Sequence, residues 1–173
     1  MNDTYDFIVL GAGISACTFA SFLSKRFSDA SILLVEHGRR IGGRATTRKS
    51  RKNKIFEFDH GLPSISFSQH ISKDILTLIL PLINKKQLID ISQEILLINE
   101  FGVLNNAINN YTTYRSSPFM INFCEELINQ SSNPKKINFL FQTFIKSMKR
   151  RDDLWEIEVS KESFIKSKNL IIS

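Results

Sequence analysis

Three small residues carry the first chemical pattern in this chain. Gly11, Gly13 and Ala16 stand as G-x-G-x-x-A within "VLGAGISA". At this spacing the first glycine makes a tight turn and the second lets bare backbone approach a pyrophosphate. The third position stays small so that helix and strand pack closely. Glu36 follows 20 residues after Ala16, where a carboxylate accepts hydrogen bonds from the ribose hydroxyls of an adenosine and disfavours an added phosphate. Next comes "HGRRIGGRATT", with Arg40, Gly42, Gly43, Arg44 and Thr47 in the order R-x-G-G-R-x-x-T. Paired glycines let a loop press its backbone on a bound dinucleotide, and a guanidinium offers phosphate oxygens a rigid, planar set of donors.

These residues need a strand, a turn, a helix and a second strand to hold them. "FIVL" at 7–10 reads as a short buried strand, and a helix is predicted from the glycines to about Phe27. Ile14, Cys17, Ala20, Leu23 and Phe27 recur at three- and four-residue steps, which places one apolar stripe on that helix. "SILLVE" at 31–36 supplies the second strand. The unit is βαβ, and the fold class is α/β with a parallel sheet covered on both faces. Residues 37–54 form a Gly- and Arg-rich loop, and "IFEFDHG" at 55–61 is a strand entering a glycine turn. A helix is expected over 71–82, antiparallel strands over 87–98 and near 111–115, and a helix that starts with Pro118. The remainder is β-rich, with turns at "RRDD" and "SKES".

Composition narrows the function classes. With 173 residues, 42% of them hydrophobic, the chain can bury a full domain. Its longest apolar run, "ILTLILPLI", is well short of a membrane span and contains Pro81. The N-terminus carries acids where a secretory signal carries bases, so the expectation is a cytoplasmic protein with no membrane partner. The net charge of +6 is concentrated between Arg39 and Lys54, which hold eight Lys or Arg and no acid. Glycine, alanine, threonine and serine separate those charges where a nucleic-acid surface would interleave aromatics, so no nucleic-acid partner is expected. Cys17 and Cys124 lack metal or disulfide spacing and read as packed thiols. His37, His60 and His70 have no metal-ligand spacing. No metal site and no acid–base pair is legible, so no catalytic residue is assigned.

The R-x-G-G-R-x-x-T stretch following a βαβ glycine turn resembles the flavin-containing amine oxidase superfamily. Two further stretches, "FDHGLPSISF" at 58–67 and "RRDDLWEIEVS" at 150–160, are similar to its renalase-like branch, in chain order. That resemblance implies a Rossmann-like FAD-binding βαβ domain with part of a mixed-sheet substrate domain. It divides the chain into an FAD-binding segment (1–67), a partial substrate-domain insertion (68–118) and a return to the FAD-binding domain (119–173). It implies FAD contacts from Gly11, Gly13, Ser15 and Ala16, with Glu36 on the ribose, Gly43 and Arg44 on the phosphate side, and Pro63 and Ser64 on the flavin side. Leu62, Pro63 and Ser64 depart from the small residue, glutamine and aromatic of many relatives.

The implied activity is hydride transfer from an amine or a dihydronicotinamide-type donor to FAD and then to oxygen. The resemblance covers only the N-terminal half of such an enzyme, so a C-terminal half or a second chain would complete it. The alternative is a non-catalytic dinucleotide-binding remnant or interaction module. A flavoenzyme draws its redox chemistry from the cofactor, so the missing acid–base pair does not separate the two readings.

Overall fold

The computed structural model describes residues 4–50, 52–53, 55–106, 110–159 and 163–173. Chain order begins with β1 (Thr4–Leu10), α1 (Ile14–Arg26), β2 (Ile32–Val35), β3 (Thr47–Lys49), β4 (Glu57–Asp59) and β5 (Ile65–Ser68). It continues with α2 (Lys73–Asn84), β6 (Leu88–Asp90), β7 (Leu96–Ile98), β8 (Leu104–Asn106), β9 (Tyr111–Ser116) and α3 (Met120–Asn129). It closes with β10 (Ile137–Leu140), β11 (Ile145–Arg151), β12 (Leu154–Val159) and β13 (Ser163–Ile172). Two compact units result, one from the residues up to Thr46 with Cys124–Ser173, the other from Thr47–Phe123.

The first unit is built on a six-stranded sheet in the order β10-β2-β1-β13-β12-β11. β10, β2, β1 and β13 run parallel, and the β11–β12 hairpin extends the sheet antiparallel. This is the α/β, Rossmann-like arrangement expected from the βαβ unit, enlarged to a mixed sheet. All four residues of β2 are buried, the pattern of a strand covered on both faces. Ile8, Leu33, Val35, Ile157 and Val159 form part of one apolar cluster, which ties the parallel and antiparallel portions together. α1 lays Ala16, Cys17, Ala20 and Leu23 inward. Phe27, expected at the end of that stripe, is half exposed and packs its ring 5.6 Å from Phe7. The "RRDD" turn closes the β11–β12 hairpin with Asp152 at positive φ; the "SKES" turn falls largely on 160–162, outside the described residues.

The second unit contains an antiparallel sheet in the order β5-β9-β6 and two separate hairpins, β3–β4 and β7–β8. α2 begins where Ser72 Oγ accepts the Ile75 N–H at 3.3 Å, with Asp74 in the first turn. β6 and β9 pair as expected, but the stretch 87–98 is not continuous strand. Asp90 Oδ1 accepts both the N–H and the hydroxyl of Ser92, at 2.8 and 2.6 Å. That local competition bends the chain into a 3-10 turn over Ser92–Glu94. Pro118 does not begin α3. The Phe119 N–H donates to Asn122 Oδ1, the Met120 N–H donates to Asp59 Oδ1 at 3.0 Å, and the helix starts at Met120.

Candidate dinucleotide site

β1 ends in a turn that only its sequence permits. Gly11 sits at φ +109° and donates its N–H to the Val35 carbonyl at 2.8 Å, a backbone conformation L side chains rarely adopt. Gly13 then precedes α1 in extended conformation, and no side chain caps the helix. The first helical bond runs from the Cys17 N–H to the Gly13 carbonyl at 3.0 Å. The N–H groups of Ile14, Ser15 and Ala16 therefore precede the intrahelical ladder. Ala16 is fully buried under the helix and Ser15 is exposed. The first turn of α1 itself holds no acid to compensate the positive end of the helix dipole.

The second glycine pair packs on this turn through backbone alone. The Gly42 N–H donates to the Ala12 carbonyl at 2.7 Å, and Gly13 and Gly42 form a parallel bridge. A Cβ on Gly43 would lie 3.0 Å from Gly13 Cα, whereas a Cβ on Gly13 would meet only Gly43 Cα, at 3.9 Å. The space over Gly13 is otherwise open. Arg44 is exposed on the 3-10 turn Gly43–Ala45, and among the described residues it has no ion-pair partner. The turn is pinned by Ala45, which is buried, and by Thr46 Oγ1 donating to the Gly43 carbonyl at 2.6 Å.

Glu36 stands one residue beyond β2, half buried. Its Oε2 accepts the Ala12 N–H at 2.9 Å and its Oε1 accepts the Gly38 N–H at 2.6 Å. The carboxylate thus ties the first glycine turn to the end of β2 while each oxygen keeps a second lone pair. Gly11, Gly13, Ser15, Ala16, Glu36, Gly43 and Arg44 all lie in the first unit. Pro63 and Ser64 lie in the second, in the segment leading into β5, with Pro63 exposed and Ser64 half buried.

Sequence reasoning missed one component. The loop after β10 folds onto the Glu36 segment, with the Thr143 N–H donating to the Glu36 carbonyl at 3.1 Å and the Gln142 N–H to the Gly38 carbonyl at 2.8 Å. Phe144 meets the His37 ring edge-on, with centroids 5.4 Å apart. "FLFQTF" at 139–144 carries no local marker of this role, because pairing of β10 with β2 brings it there. Cys17 and Cys124 are buried free thiols; interaction with the neighbouring Cys124 thiol, together with burial, pushes the Cys17 thiol well above the ordinary range. All three histidines are exposed, and among the described residues no group of His, Cys, Asp or Glu is arranged to hold a metal. Among the same residues no helix is long and apolar enough to cross a membrane.

The family model described as an NAD(P)-binding Rossmann-like domain matches residues 9–78, the segment that contains both glycine loops. No curated protein matches the sequence. The fold is shared with solved structures of low identity. One, assigned as a protoporphyrinogen oxidase from Exiguobacterium sp. 255-15, is 12% identical with a TM-score of 0.67, over 100% of this chain and 59% of that one. NikD, an amino acid oxidase of nikkomycin biosynthesis, is 8% identical with a TM-score of 0.57, over 99% and 51%. OTEMO in an FAD-bound form is 17% identical with a TM-score of 0.53, over 98% and 25%. The chain therefore spans between 25% and 59% of the length of these three structures.

Proposed function

We propose that the two glycine loops hold FAD and that this chain is the flavin-binding portion of a renalase-like or amine-oxidase-like oxidoreductase. The open backbone at Gly13, set against Gly43 at the start of α1, carries the reading. It offers helix N–H groups and a space that one Cβ would fill. The pyrophosphate would accept hydrogen bonds from the N–H groups of the first turn, Ser15 among them, with Arg44 as the exposed counter-charge. The remaining lone pairs of Glu36 would accept the ribose hydroxyls, and the resemblance assigns Pro63 and Ser64 to the flavin side. An FAD-bound structure among those sharing the fold supports FAD as the occupant.

When bound, FAD supplies the redox chemistry, taking a hydride from an amine or dihydronicotinamide-type donor and delivering the electrons to oxygen as hydrogen peroxide. The residues of this chain place the cofactor and neutralise its phosphates. Because the chain spans only part of the structures it resembles, the donor-facing wall belongs in this proposal to further polypeptide, either a C-terminal half or a second chain.

Reconstitution tests the reading. The purified protein should take up FAD with a bound-flavin absorbance spectrum and a raised thermal midpoint, and ADP should compete. A protein that stays colourless and gains no stability from FAD overturns it. Uptake of FAD without anaerobic bleaching by amines or NAD(P)H would instead mark a dinucleotide-binding module without turnover of its own.

A further inference from the structure

The basic stretch after the second glycine loop lacks aromatics in sequence, yet the fold supplies them from the facing strand. β3 and β4 pair in the register Thr47↔Asp59, Arg48↔Phe58 and Lys49↔Glu57. Directly opposed residues of an antiparallel pair share a face. One face is satisfied internally: Thr47 is buried and bonds Asp59 at 2.7 Å, and Lys49 pairs with Glu57. The other face places Arg48 across from Phe58, with Phe56 two residues along on the same side. Phe58 is 52% exposed and Phe56 66%.

Among the described residues of the tip, backbone and side-chain hydrogen bonds converge on Asn53. Asn53 accepts the Phe56 N–H on its carbonyl at 3.0 Å and the Ile55 N–H on Oδ1 at 3.2 Å. Ile55 is 88% exposed, and Lys52 of the same turn is exposed as well.

We infer that this face docks the protein on the surface of an anionic phospholipid bilayer. Arg48 and Lys52 would meet the headgroups while Ile55, Phe56 and Phe58 enter the interfacial layer. Charge complementarity selects the occupant, because the sequence from Arg39 to Lys54 contains no acid and the two carboxylates opposite β3 lie on the other face, Glu57 paired with Lys49 and Asp59 bonded to Thr47 and the Met120 N–H. Few apolar side chains or few cations alone hold a protein weakly at a bilayer, whereas the two signals together suffice for stable attachment. A nucleic acid would use the cations and the two rings, but it gives an aliphatic side chain at the tip nothing to stack on. Ile55 therefore favours lipid. The expectation of no membrane partner rested on the short apolar run and the acidic N-terminus, and a surface-docking hairpin requires neither a spanning segment nor a secretory signal.

Flotation of the 173-residue protein with vesicles of phosphatidylcholine, with and without phosphatidylserine, tests the inference. Retention should occur on the anionic vesicles alone and fall with salt. Replacing one cation, in Arg48→Glu or Lys52→Glu, should lower partition about fivefold or more. The pair Phe56→Ser and Phe58→Ser should lower it by about tenfold or more. Should that pair lose the wild-type circular dichroism spectrum, the decision passes to Ile55→Ser, whose side chain supports no packing and whose partition should still fall. The inference is overturned by absence of retention on anionic vesicles, by equal retention of wild type and variants, or by homopolymeric RNA displacing the protein from them.

Discussion

The two glycine loops of the first unit touch each other and yet use glycine for different reasons. Gly43 has positive φ and no room, since an added Cβ would strike the Gly13 backbone at 3.0 Å. Gly13 has ordinary extended backbone and open space, its nearest neighbour being Gly43 Cα at 3.9 Å. The fold demands glycine at 43; at 13 it does not. The open space over Gly13, at the start of α1, is where the proposed pyrophosphate would lie.

Substitutions at the two loops should therefore separate binding from stability. The largest effect is expected for Gly13→Val, which should reduce FAD affinity by about 100-fold or more through lost charge-assisted hydrogen bonds, with the thermal midpoint close to wild type. Unchanged affinity in a titration would remove the pyrophosphate from this turn and collapse the comparison. Gly43→Ala should show the converse. Left-handed backbone and the contact with Gly13 should cost about 2 kcal/mol of stability in chemical denaturation, and a variant as stable as wild type would show that the loop can retreat.

Glu36→Ala lies between the two. The Ala12 and Gly38 N–H groups lose their acceptor, for about 1–2 kcal/mol of stability, and FAD affinity should fall about tenfold if the ribose uses the same carboxylate. A loss of stability with no loss of affinity would confine Glu36 to holding the turn.

The smallest effect is expected near the start of β1, away from either loop. Asp6 accepts hydrogen bonds from Lys168 at 2.8 Å and from the Ser31 N–H and hydroxyl at 2.9 Å. The Lys168 bond, then that of the Ser31 backbone, hold its carboxyl down from 3.8 to about 2. The unfolded chain binds this proton at higher pH than the folded one. The stabilisation is therefore complete above pH 3.8 and is lost as pH falls toward 2. Solvent screening of a side chain one-third exposed limits it to about 1 kcal/mol. Thermal midpoints taken across that acid range should lose this component in Lys168→Ala, and FAD affinity at neutral pH should not move.

Much of the first unit was legible because its signals are local. The glycine spacing, the three- and four-residue apolar steps of α1 and the all-apolar β2 each describe one element, and the βαβ order assembles them. Within the second unit, α2 was legible from its periodicity, observed at Lys73–Asn84. The break at Ser92–Glu94 was not, because it depends on Asp90 capturing Ser92 while Ser92 Oγ accepts the Thr113 N–H at 2.9 Å. Pro118 was misplaced because the start of α3 is set by Asp59, 61 residues away from Met120.

By itself the sequence determined the strand–turn–helix pattern of this protein: which glycines can turn, which helix end is left without a capping side chain, and where a carboxylate follows the second strand. Tertiary structure alone decided that the loop after β10 closes on Glu36, that β13 returns to lie beside β1, and that Arg48 shares a face with Phe58. The physical reason is one of range. Backbone conformation and periodicity act between residues a few positions apart, whereas parallel pairing and cross-strand register join residues whose proximity no local propensity encodes.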